Sequence, residues 1–69
     1  MTQHQRIILY LDRHGSITPM DAFVDLGITK LSTRIGELIR SGKQIIKVKE
    51  YGTNRYGEGI HYMRYKKVV

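Results

Sequence analysis

The chain has no cysteine, and only one proline and one phenylalanine, in 69 residues. Without cysteine there is no disulfide and no thiolate metal site to staple a small fold. No apolar run approaches the length of a membrane span. The first residues lack the basic region and apolar stretch of a signal peptide, so a soluble, cytoplasmic protein with no membrane partner is expected. The three histidines, His4, His14 and His61, fall in separate segments with no i, i+4 pair, so neither a zinc site nor another cofactor is expected. There is no glycine-rich phosphate loop, no Ser/His/Asp signature and no evident pair of carboxylates. The five tyrosines invite comparison with a tyrosine recombinase, but a chain this short cannot hold the surrounding Arg and His constellation. A non-enzymatic role is expected.

Acidic residues are scarce where basic ones are dense. The formal net charge is +6. Residues 1–28 hold Arg6 and Arg13 against Asp12, Asp21 and Asp25, a net of −1. Residues 29–69 hold ten Lys/Arg against Glu37, Glu50 and Glu58, a net of +7. Such a localised basic field favours a polyanion, most often nucleic acid; the plainer alternative is a generically basic, soluble surface.

The length allows one domain, residues 1–69, with one modest core built from well-packed elements or completed by a dimer. Residues 3–14, QHQRIILYLDRH, predict a first helix with Ile7, Ile8 and Leu11 on one face, Leu9 pointing away and Gly15 just past its end. Ser16-Ile17 is at most a minimal strand. Thr18-Pro19 is a strong helix start, with Asp21 near its positive end. A second helix over about 19–26 should bury Met20 or Ala22, Phe23 and Leu26, with Gly27 ending it and Ile28 packing the turn. Thr29 is the expected cap of a third helix over about 30–41, where Leu31, Ile35, Leu38 and Ile39 form an i, i+4, i+7, i+8 stripe ended by Gly42.

After Gly42 the period changes. QIIKVKEY (44–51) predicts a strand with Ile46 and Val48 on one face. GTNRYGEG (52–59) predicts a loop, and IHYMRYKK (60–67) a second strand with Met63 and Tyr65 inward, or Ile60 and Tyr62 if the register slips by one. The two strands form an antiparallel hairpin.

The stretch TPMDAFVDLGITKLSTRIGELIRSG (18–42), two helices about a tight glycine turn, has the form of a helix-turn-helix. With HGSITPMDAF (14–23), LGITKLSTRIGELIRSG (26–42) and the strand Ile45–Val48 behind it, the chain resembles small bacterial and phage winged helix-turn-helix domains over roughly residues 5–67. The resemblance implies an α+β fold, three helices with a C-terminal two-stranded antiparallel wing. Repressors of the phage lambda type carry an apolar residue where this chain has Thr33, which suits a winged helix better than an all-helical repressor.

The major groove admits one helix, whose N-terminal turns reach base edges. Opposite the apolar stripe the third helix carries Thr29, Lys30, Thr33, Gly36, Glu37 and Arg40, with Ser32 and Arg34 on its flanks. The hydroxyls suit bases or phosphates, and Lys30 and Arg34 suit guanine edges or the backbone. Gly36 costs about 1 kcal/mol in a helix interior, which either a close approach to DNA or another chain, or packing on a neighbouring helix, would offset. Glu37 is the anomaly. It either accepts from cytosine N4, orients Lys30, Arg34 or Arg40, or makes an ordinary surface ion pair.

On the wing, Lys47, Lys49, Asn54, Arg55 and Arg64 are the candidate contacts. Arg55 suits a minor groove or phosphate, and Tyr51 and Tyr56 suit phosphate. The structural alternative is a solvated hairpin whose lysines block edge pairing. The expected partner is double-stranded DNA, bound as a homodimer or cooperative array by a transcription regulator or excisionase-like protein. The competing expectation is a winged module that grips a host or phage protein.

Overall fold

The computed structural model describes residues 1–68. Helix α1 (Gln3–His14) opens on a capping box: Thr2 Oγ1 accepts from Gln5 N–H while the Gln5 side chain accepts from Thr2 N–H. Gly15 closes it with φ 81°, the left-handed conformation that glycine adopts without a Cβ penalty. Strand β1 (Ser16–Ile17) follows, then a second capping box in which Thr18 and Asp21 exchange the equivalent bonds around Pro19. Helix α2 (Pro19–Asp21) continues into a π-helical segment, Ala22–Leu26. Gly27 ends that segment with φ 69°. Helix α3 (Leu31–Arg40), strand β2 (Ile45–Thr53) and strand β3 (Gly59–Lys67) complete the chain.

The fold is α+β, three helical segments on an antiparallel sheet. The expected two-stranded antiparallel hairpin, β2 with β3, is present, and the minimal strand β1 joins it as a third: β3 lies between β1 and β2, with Ile17 opposite Tyr65 and Lys47 opposite Tyr65 on its other side. Opposed residues share a face, so Ile17, Ile45, Met63 and Tyr65 face the helices. Ile46 and Val48 do share a face, as expected, but it is the open one. A period of two fixes which residues travel together, and only tertiary contacts choose the side. The core is Ile7, Leu11, Ile17, Ala22, Ile28, Leu31, Ile35, Leu38 and Tyr65, with Ile8, Tyr10, Leu26, Ile45 and Met63 packed against it.

Four local expectations are corrected. Thr29 does not cap α3: Lys30 holds the N-cap position, with φ −117° and ψ 57°, no side-chain cap forms, and the helix runs over 31–40 instead of 30–41. Met20 and Phe23 are 68% and 58% exposed. The cause is the π turn, where Gly27 N–H bonds Ala22 C=O and Ile28 N–H reaches the same carbonyl at 2.9 Å. The smaller rotation per residue of such a turn swings Leu26 away from Phe23, so Ala22 and Leu26 meet the core and Phe23 does not. Ile39 lies at the margin of its stripe, where it is 37% exposed. The wing loop is shorter than 52–59, because Thr53 and Gly59 are already paired.

Thr18 is buried and closes its capping box on the main chain of Asp21. Thr18→Ala is therefore expected to cost about 1 kcal/mol. For a domain of this size that lowers Tm by about 4–8 °C, measurable by circular dichroism.

Candidate nucleic-acid interface

Helical spacing sets Leu31, Ile35 and Leu38 into the core and turns Thr33, Gly36 and Arg40 outward, with Ser32 on one flank. Thr29, Lys30, Ser32, Thr33 and Arg40 are exposed. Arg34 and Glu37 are half-buried and tied together: Arg34 donates from a terminal guanidinium nitrogen to Glu37 Oε1 at 2.8 Å. His4 Nε2, from the first turn of α1, lies 2.8 Å from the same oxygen. The His4 hydrogen bond and then the Arg34 charge hold the Glu37 carboxyl below its ordinary range, against partial desolvation. Arg34 is thus engaged within the protein, and its Nε is buried without a partner among the described residues.

The wing tip is a five-residue connection, Asn54–Glu58, built by Asn54. Its Oδ1 accepts from Tyr56 N–H at 2.9 Å and Glu58 N–H at 3.1 Å, and its amide donates to the Glu58 carboxylate. Gly57, with φ 77°, takes the left-handed position that such tight hairpins require. The Asn54 side chain is therefore spent on shaping the turn, which leaves Arg55 and Tyr56 outermost. Lys47 and Lys49 lie on the helix-side face of β2, both exposed, and the Lys49 ammonium sits 5.8 Å from the Tyr51 ring centroid.

Arg64 belongs to a different surface. It lies on the open face of the sheet, donating from Nε to Glu50 at 2.8 Å and from a terminal nitrogen to Ser16 Oγ at 3.0 Å. The structure thus places Thr29 and Lys30 just before α3, Ser32, Thr33 and Arg40 exposed along it, and Lys47, Lys49 and Arg55 along the wing. It draws Arg34, Asn54 and Arg64 into internal contacts. Sequence reasoning missed His4, which the fold carries across 33 residues to Glu37, and Lys43, exposed between α3 and β2.

Glu50 is also held below its ordinary range, first by the Arg64 hydrogen bond. A lowered folded-state carboxyl stabilises the fold fully above the unfolded pKa and loses that contribution as pH falls through the folded value. Stability should therefore be level from neutral pH down to about 4.5, the ordinary glutamate value, and fall below it. In thermal melts across pH, Glu50→Gln should show a smaller acid loss than the parent chain; an identical loss would exclude Glu50 as a contributor.

Among the described residues no cluster of His, Asp and Glu could hold a metal ion, and no helix is long and apolar enough to cross a membrane. Three helical segments, a tight turn before an exposed helix and a basic hairpin define a winged helix. The chain belongs to the family described as the winged helix-turn-helix domain, whose model matches residues 2–66. No curated protein and no solved structure matches it significantly.

Proposed function

We propose that residues 1–69 act as one domain that binds double-stranded DNA, as a regulator of phage or mobile-element type in the cytoplasm of a bacterial host. Helix α3 enters the major groove and the 54–58 tip lies on backbone or minor groove. The role is binding, without catalysis or cofactor.

The observation that carries this is how charge is apportioned. All six carboxylates have hydrogen-bond partners: Asp12 with Lys67, Asp21 with Thr18 N–H, Asp25 with the Tyr10 hydroxyl, Glu37 with Arg34 and His4, Glu50 with Arg64, and Glu58 with Asn54. Lys30, Arg40, Lys43, Lys47, Lys49 and Arg55 make no ion pair among the described residues. These cations run from the start of α3 to the wing tip, as contacts along a polyanion require.

A lone domain of this size contacts few base pairs, so it works as a homodimer or as several copies on adjacent sites. Selection from random duplexes tests the reading. An enriched motif should emerge, bound more tightly than scrambled duplex or RNA of the same length. Equal binding of all three would leave only a non-specific role.

One observation favours a second reading. Met20, Phe23 and Val24 expose apolar surface on one side of the second helical segment, as a module that grips a protein would. A stoichiometric partner captured from nuclease-treated host lysate would support it.

A further inference from the structure

Glu37 is a carboxylate on the helix that the proposed function places against phosphates, and the fold holds it there instead of turning it away. Both of its protein contacts use one oxygen: Arg34 and His4 each lie 2.8 Å from Oε1. Oε2 accepts no bond among the described residues, and it is not among their buried, unpartnered atoms, so it keeps contact with solvent. The side chain is clamped from α1 and from its own helix, leaving one unpaired acceptor on a part-exposed side chain, on a face otherwise made of hydroxyls and cations.

Gly36 lies beside it. A Cβ built at Gly36 meets nothing closer than an Arg40 guanidinium nitrogen at 3.7 Å, an ordinary contact with a flexible side chain. Nothing within the protein requires glycine there, although glycine weakens a helix interior. Its missing side chain leaves the backbone beside the clamped carboxylate covered only by the flexible Arg40 guanidinium.

We propose that Gly36 and Glu37 form a base-reading notch in which Oε2 accepts from the N4 amino group of a cytosine, with His4 and Arg34 as positioning residues; this rests on the duplex-binding reading above. Cytosine fits better than the other major-groove donor. Adenine places its N6 amino group beside the N7 acceptor, which repels a carboxylate, whereas cytosine offers a donor alone. Thymine and guanine present acceptors at that level and leave Oε2 desolvated and unpaired.

Parallel selections from random duplexes with the parent chain, Glu37→Ala and Gly36→Ala test this, with folding followed by circular dichroism. The parent should enrich a motif with at least one position where cytosine is preferred by about tenfold or more. In Glu37→Ala that preference should fall to about twofold or less while the rest of the motif persists, and scrambled duplex should bind as well or better because a negative charge is gone. Gly36→Ala should raise Tm by about 4–8 °C yet weaken binding to the selected motif. His4→Ala, which releases one side of the clamp, should give an intermediate cytosine preference. A parent motif that Glu37→Ala reproduces base for base would overturn the notch and leave DNA binding standing. No enriched motif and no duplex binding by the parent would overturn the DNA reading itself.

Discussion

Replacing Lys47, Lys49 and Arg55 together by alanine is expected to weaken duplex binding by about 10²–10³-fold at about 50 mM salt, with the fold intact. All three side chains are exposed and none makes an ion pair among the described residues, so their loss would remove the proposed phosphate contacts and little packing. Each phosphate neutralised contributes about 0.9 to the slope of log K against log salt, so the triple variant should lose about 2.7 of it. Arg55→Ala alone should weaken binding to all sequences about equally, because a backbone contact carries no base information. Unchanged affinity in the triple variant would confine the interface to α3 and make the wing a structural hairpin.

Ile35→Ala is expected to unfold a large fraction of the protein. Ile35 is fully buried at the centre of the α3 stripe, and truncating such a side chain costs about 2–5 kcal/mol. At about 0.05–0.15 kcal/mol per residue, a chain of 69 residues has only about 3–10 kcal/mol to lose. Ile39→Ala, at the edge of the same stripe, should cost less than about 1 kcal/mol because the side chain is already partly wet. Urea unfolding followed by circular dichroism separates them. Equal midpoints would mean that the two faces of α3 are not distinguished as described.

The elements whose ends carry their own chemistry were legible in the sequence. Thr18-Pro19 and Gly15 bound their helices through local hydrogen bonds and backbone conformation, so short-range pattern suffices. The stripe at Leu31, Ile35 and Leu38 is likewise local. What was not legible depends on contacts between distant segments. Phe23 fits an α-helical core face, and only the π turn that lets Ile28 into the core displaces it. Ile46 and Val48 alternate with Ile45 and Lys47, and choosing the inward set requires knowing that β1 joins β3 on its far side.

The site divides along the same line. Lys30, Thr33 and Arg40 follow from the wheel of α3, and Arg55 from its place in a glycine-bounded turn. Asn54, Arg34 and Arg64 are residue types that serve equally as ligand contacts and as internal braces. Their partners, Glu58, Glu37, and Glu50 with Ser16, decide which. The role of His4 had no local signal, because Glu37 reaches it only when α1 and α3 pack.

On this reading the α3 and wing cations meet a DNA backbone, while each side-chain carboxylate is held by a hydrogen-bond partner within the protein. A fluorescence-anisotropy titration of the selected duplex over about 50–200 mM salt tests it most directly. With ~5 phosphate contacts, log K should fall against log salt with a slope of about −4 to −5, and the selected duplex should bind more tightly than its scrambled counterpart at every salt concentration. A flat salt response, or no binding of either duplex, would contradict the account.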